Sequence, residues 1–480
     1  LFEFSSILQY NGQLQSRAIS CEETVLHYFE KIRNTKHLNA FVEVYADEAL
    51  QRAKALDERR MAGQPLSSLH GVIVAIKDVI AYKDHRLTAS SKILSGFHSI
   101  YSSTVVEKLL AAEAIIIGCT NCDEFAMGSS NENSAYGPVL NAADETKVPG
   151  GSSGGSAVAV QAGLCMVSIG SDTGGSVRQP AGFCGIVGLK PTYGRVSRYG
   201  LIAYASSFDQ VGIFTKNIPD ASILLQVIAG YDEFDSTVSD LPVPGYSSTP
   251  ATGKKFRFAY FPELFNHPSL DPEISSGIKT TMEVLKKEGH AVESIAFNFM
   301  DFVVPAYYVL TTAEASSNLS RYDGVRFGHR TKKAETDLAA WYKQTRTEGF
   351  GLEVKRRIML GSFVLSTGYY DAYFTKAQQA RQLLLSKIRE VFANHDFILM
   401  PVSPTTAFDL GDNTQDPVAM YLADIFTVMA NLVGCPAVSL PIYQHTNGLP
   451  FGLQVMATHF DELSLLQVSG QLMSLAGRSS

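Results

Sequence analysis

Two glycine-serine turns lie close together in this chain, PGGSSGGS at 149–156 and GSDTGGSVRQ at 170–179. Serine hydroxyls on glycine-rich backbone suit nucleophilic catalysis, because glycines let a ligand approach backbone N–H donors that side chains would obstruct. Thirteen of the 38 glycines fall between Gly150 and Gly200, which marks a site where chain or ligand must come close. A flexible linker does not fit, since the intervening AVAVQAGLCMVSI is apolar and would be buried. A phosphate cradle fits poorly too: the Lys-Ser/Thr that ends a P-loop is missing, and G-x-G-x-x-G is not matched in the segment.

Gly150, Ser152 and Gly154 do match G-x-S-x-G, the nucleophile elbow of α/β-hydrolases. An elbow ends a buried strand, whereas the preceding NAADETKV at 141–148 reads as a polar loop. No histidine lies between His98 and His267, although later ones leave a histidine triad open on count alone. Without a local histidine the base can be a lysine held neutral. Lys77 is the candidate, because it ends the apolar run VIVAIKD, where burial disfavours its ammonium and lowers its pKa. Moving it from about 10.4 to near 7 takes roughly 4.6 kcal/mol against the charge. A salt bridge to neighbouring Asp78 competes with this reading, and only the two serine turns tip the balance to catalysis.

These groups need a frame that holds a strand end against two tight turns. Residues 105–113 have helical spacing and run into Ile115, Ile116 and Ile117, a helix feeding a buried strand. The alternation recurs, with strand-like 72–76, helix-like 156–164, strand-like 166–169 and 256–260, helix-like 274–288 and 376–393, and strand-like 397–400. Continuous apolar strands between helices predict an α/β/α layered fold with its sheet buried on both faces. Residues 310–395 carry many helical and few strand signals, so they read as a helical insertion or lid. The Pro-rich 241–250, with Gly253 beyond it, is the expected surface connection between lobes.

At 480 residues the chain exceeds a single compact core, and 45% apolar with 18% charged residues is the composition of a globular enzyme. Forty basic against 47 acidic residues give a net charge of −7, without long single-sign runs, so a broad grip on a phosphate backbone is not expected. The most apolar window, 295–310, is broken by Asn298, Asp301 and Pro305, and no membrane contact is expected. The first thirty residues lack a signal-peptide pattern, so a cytoplasmic protein is expected, and the start at Leu1 reads as an incomplete N-terminus. Six cysteines are too sparse for a disulfide scaffold, and the lone C-x-x-C of Cys119 and Cys122 has no second pair or nearby histidine to complete a zinc site.

A lysine after an apolar strand, PGGSSGGS, and a serine in GSDTGGSVRQP together resemble the amidase-signature family, with Ser152 and Ser176 the required 24 residues apart. The resemblance covers nearly the whole chain. It implies one amidase-signature domain over 1–480, with a mixed β-sheet, a catalytic core at about 60–230 and 396–460, and the helical insertion at about 310–395. It also implies Ser176 as nucleophile, Ser152 as a bridging serine on a cis peptide and Lys77 as general base. Backbone N–H groups of Thr173, Gly174, Gly175 and Ser176 would form the oxyanion hole.

Three stretches outside the shared motif, 121–141, 306–328 and 348–373, resemble the A subunits of glutamyl-tRNA(Gln) amidotransferases. Cys122 departs from the methionine common in such subunits. This narrower resemblance implies hydrolysis of free glutamine, with ammonia passing to a partner. Expected partners are B and C subunits, with Glu-tRNA(Gln) met mainly through the B subunit. No cofactor is expected on this chain; ATP and Mg²⁺ are expected in the partner. Arg356 resembles the group that holds the glutamine α-carboxylate, Asp424 the one that meets its α-amino group, and Tyr307 a pocket wall. Helical spacing from Val354 and Ile358 does not choose between Arg356 and Arg357. A stand-alone amidase acting on another small amide is the alternative reading.

Overall fold

The computed structural model describes residues 2–247, 253–333, 337–412 and 423–477. Eleven strands form one sheet: β1 Phe41–Val44, β2 Ile73–Lys77, β3 Ile115–Thr120, β4 Val167–Asp172, β5 Val187–Lys190, β6 Gln210–Thr215, β7 Arg257–Tyr260, β8 Ala291–Ser294, β9 Phe397–Pro401, β10 Ala437–Gln444 and β11 Pro450–Ala457. Their spatial order is β1-β3-β2-β4-β6-β5-β10-β11-β9-β7-β8. The sheet is mixed: β2 runs parallel to both β3 and β4, whereas β4 and β6 are antiparallel.

Every residue of β2, β3, β4 and β9 is buried, which explains why these strands read as unbroken apolar runs. Helices Thr104–Ala111, Pro272–Lys287 and Lys376–Asn394 each feed such a strand or pack beside one, matching the helix-strand alternation of the sequence. The fold class is thus the layered α/β one with a mixed sheet.

Between β8 and β9 the described chain is helical, with helices Met300–Asn318, Leu338–Gly349, Leu352–Val364 and Lys376–Asn394. The first begins ten residues before the expected insertion and carries Pro305 inside it. Of the connection expected over 241–250, residues 248–250 lie outside the described residues, as does Leu1. Leu241 and Pro242 accept hydrogen bonds from Arg195 Nη1 at 3.2 and 3.3 Å, which pins the described part to the body of the protein.

The two serine turns are each a strand-helix junction or its close neighbour. Ser152 and Ser153 precede helix Gly154–Gln161, and Thr173–Ser176 joins β4 to helix Arg178–Cys184. No strand precedes Ser152, since 141–148 is irregular chain with isolated bridges, so the strand end that an elbow requires is absent there.

Candidate active site

Parallel pairing of β2 with β4 puts the end of one strand beside the turn that leaves the other. Lys77, the last residue of β2, is fully buried. Its Nζ lies 2.7 Å from Ser152 Oγ, 2.9 Å from Ser153 Oγ and 2.9 Å from Ser171 Oγ. Burial lowers its pKa to about 8, against the opposing pull of Cys122, Asp123, Asp172 and Asp209. Asp78 does not pair with it. Its carboxylate accepts from Thr88 N–H at 2.9 Å, Ser90 N–H at 2.8 Å and the Thr88 hydroxyl.

Ser152 is fully buried and follows a cis Gly151–Ser152 peptide. The two turns abut, because Ser153 N–H donates to Ser176 O at 3.3 Å. Ser153 Oγ donates to Ser171 O at 3.0 Å. Ser176 keeps 9% exposure where Lys77 and Ser152 keep none, so it is the member of the three that meets the solvent side.

The 173–176 turn is held from beneath by an ion pair that no sequence motif singled out. Asp172 and Arg178 are both fully buried and bonded through two contacts, at 3.0 and 3.1 Å. Burial would raise the Asp172 pKa, yet Arg178, with Lys190 and Asn431, holds it at about 2. Gly175 N–H also donates to Asp172, at 2.9 Å, so this expected oxyanion donor is turned inward. The N–H groups of Gly174 and Ser176 donate to no described residue. Thr173 is fixed through its hydroxyl, which donates to Asp209 at 2.6 Å. Gly175 has φ +130, and a Cβ there would lie 2.1 Å from Thr427 Oγ1, so only glycine fits.

The wall beside this turn comes from helix Met300–Asn318. Tyr307 is buried against Gly174, where a Cβ would lie 2.3 Å from the Tyr307 hydroxyl oxygen. Asp424 is buried and accepts from Ser129 Oγ at 2.6 Å and from Tyr308 OH at 3.5 Å. Burial raises its pKa to about 7, opposed by Ser129 and Arg357.

The arginine on this side is Arg357, not Arg356. Arg357 is 3% exposed, donates to Glu353 and to Tyr204 OH at 2.8 Å each, and lies 5.5 Å from the Tyr204 and Tyr308 ring centres. Arg356 is 42% exposed and, among the described residues, reaches only the other oxygen of Glu353, at 3.7 Å. The buried face of helix Leu352–Val364 runs through Val354, Arg357, Gly361 and Val364, a spacing that turns position 356 outward.

The structure thus brings Lys77, Ser152 and the Ser176 turn together, with Tyr307, Asp424 and Arg357 alongside. Asp172 and Arg178 both stand in GSDTGGSVRQ, where an acid and an arginine inside an otherwise small, apolar segment were the available signal for a buried pair. Ser129 carried no such signal. All six cysteines are buried and free, and among the described residues no group of His, Cys, Asp or Glu could hold a metal ion. No described helix is long and apolar enough to cross a membrane.

The profile of the family described as Amidase matches residues 23–466. The A subunit of glutamyl-tRNA(Gln) amidotransferase from Chlorobium luteolum is 50% identical over 97% of this chain and 96% of its own length. The protein of that name from Koribacter versatilis is 51% identical over 95% of each chain. Among solved structures, the Thermotoga maritima A subunit of the same amidotransferase superposes with a TM-score of 0.78 at 38% identity, covering 95% of this chain and 91% of that one. The peptide amidase of Stenotrophomonas maltophilia superposes with a TM-score of 0.83 at 26% identity, covering 99% and 98%. With a profile spanning most of the sequence and relatives at half identity over nearly all of it, the chain belongs to the amidase family.

Proposed function

We propose that this chain is the glutaminase subunit of a tRNA-dependent amidotransferase, releasing ammonia from glutamine for conversion of Glu-tRNA(Gln) to Gln-tRNA(Gln). The observation that carries the hydrolytic chemistry is the buried Lys77 Nζ at 2.7 Å from Ser152 Oγ. A neutral amine has one lone pair, so it can accept a proton from one of the three hydroxyls around it. Ser176 Oγ attacks the side-chain amide carbon of glutamine as its proton passes through Ser152 to Lys77. Negative charge then develops on the amide oxygen, and the N–H groups of Gly174 and Ser176 are the donors available to it. Return of the proton to nitrogen breaks the C–N bond, ammonia leaves, and water hydrolyses the γ-glutamyl ester to glutamate and free Ser176.

Glutamine as the amide is supported by a buried cation and a buried acid on one wall. Arg357, rather than Arg356, would take the α-carboxylate, Asp424 the α-ammonium, and Tyr307 would close the side chain against the serine. The relatives' shared name supports work within a complex, in which B and C subunits supply the site for ATP, Mg²⁺ and tRNA in the cytoplasm. A net charge of −7 fits a chain that leaves tRNA to its partner. The test is to co-purify the complex and measure ammonia release and Gln-tRNA(Gln) formation together. Glutamine hydrolysis should rise when Glu-tRNA(Gln) and ATP are added. Full activity of the isolated chain, with faster turnover of other amides than glutamine, would instead mark a stand-alone amidase.

A further inference from the structure

Two stretches far apart in the sequence, 121–141 and 348–373, meet at one buried carboxylate. Glu124 is 5% exposed. Its Oε2 accepts from Gly351 N–H at 2.8 Å, and its Oε1 accepts from the Ser91 hydroxyl. Gly351 is the N-cap of helix Leu352–Val364, the helix that carries Arg357, and offers no side chain of its own to that terminus. In a capping box the N-cap N–H is met by a glutamate three residues on. Here that position is Val354, and the carboxylate arrives instead from 227 residues away. The fit is close, since a Cβ on Gly351 would lie 2.3 Å from Glu124 Oε2. Phe350 adds a ring contact to Phe125 at 5.7 Å.

The loop that carries Glu124 is also bound to Ser152. Asp123 N–H donates to Ser152 O at 3.1 Å, and Glu124 N–H donates to Asn133 O at 2.7 Å. The Asp123 carboxylate accepts from Asn131 N–H at 2.9 Å and Asn133 N–H at 3.1 Å, which stiffens the loop. Farther along, Ser129 holds Asp424 through its hydroxyl, and Ser129 O accepts from Gln179 Nε2 at 2.8 Å. One loop therefore touches the backbone of Ser152, supplies Ser129 to Asp424 and holds the end of the Arg357 helix.

We propose that Glu124 is a positioning residue for substrate choice: by anchoring Gly351 it sets the Arg357 helix at the distance from the serines that an amide bearing an α-carboxylate requires. The proposal rests on the glutaminase reading above. Glu124 touches no reacting atom, so its side chain reaches the substrate through the helix that carries Arg357. A carboxylate that merely stabilised the fold would affect every amide alike.

The experiment measures KM and kcat of the co-purified complex for glutamine and for butyramide, which lacks both α groups. Glu124→Ala should raise KM for glutamine about tenfold, the cost of one hydrogen bond, with kcat changed less than about threefold. Its kcat/KM for butyramide should stay within about twofold of the parent. Glu124→Gln should restore KM, because an amide can accept from Gly351 and donate to Ser91. Gly351→Ala, whose Cβ would displace the carboxylate while leaving Glu124 in place in the sequence, should copy Glu124→Ala and serves if the latter does not fold. In an Arg357→Met background Glu124→Ala should add nothing. An unchanged KM for glutamine, an equal loss on butyramide, or full additivity with Arg357→Met would overturn the proposal. A parent complex with no glutaminase activity would instead overturn the reading beneath it.

Discussion

Lys77 and Asp78 are adjacent in the chain, yet their charged ends never meet: Lys77 is ringed by three serine hydroxyls, while Asp78 is consumed by Thr88 and Ser90. A lysine without its neighbouring acid is free to lose its proton. Lys77→Met should therefore lower kcat by between about a hundredfold and ten-thousandfold, the usual worth of a general base. Lys77→Arg should be no better, since guanidinium keeps its proton. Steady-state ammonia release checks both, and circular dichroism should show the fold retained.

The pH profile carries the same information. Burial brings Lys77 to about 8 and Asp424 to about 7. The active forms are neutral Lys77 and ionised Asp424, so kcat/KM for glutamine should rise through pH 7 to 8 and fall again in alkali, where the glutamine α-ammonium that Asp424 meets loses its proton. Asp424→Asn should remove the lower step and leave the upper one. For stability the sign follows from proton binding: the unfolded chain holds the Lys77 proton up to its ordinary value near 10.5, so stability gains from this group as pH rises from 8 to 10.5.

The Asp172–Arg178 pair should be structural in its effect and catalytic in its consequence. Arg178→Ala leaves a buried carboxylate unpaired, which costs about 3–5 kcal/mol and should appear as a large fall in melting temperature. Any folded fraction should be poorly active, because Gly175 and Val177 N–H groups hang on that carboxylate. Asp172 sits at about 2, so its stabilising share is present above the ordinary carboxylate range and is lost as pH falls through 2.

Neighbouring arginines should behave differently. Arg357→Met should raise KM for glutamine about ten- to a hundredfold, as loss of a charged hydrogen-bonded contact does. Arg356→Met, at an exposed ion pair, should leave KM within about twofold. Glutamine saturation curves of the two variants decide between them.

This last contrast also shows what could be read from the sequence. β2, β3 and β9 announced themselves because strands buried on both faces have no polar alternation to hide them. The serine turns were legible because glycine packed so densely between apolar runs marks backbone that must come close to something. Arg356 and Arg357 differ by a single step of helical rotation, and the pattern that separates them, Val354, Arg357, Gly361 and Val364, hides an arginine and a glycine among its members. Glu124 was out of reach altogether, because its meaning lies in a contact with Gly351 that no local pattern encodes. The inward turn of Gly175 depends in the same way on where Asp172 points.

The most direct measurement is the site of the covalent intermediate. Glutamine is added to the complex, the reaction is quenched in acid within a turnover, and the chain is digested and analysed by mass spectrometry. The account predicts a γ-glutamyl ester on the peptide containing Ser176, absent from Ser176→Ala and much reduced in Lys77→Met. An ester on Ser152 or Ser153, or undiminished ammonia release by Ser176→Ala, would contradict it.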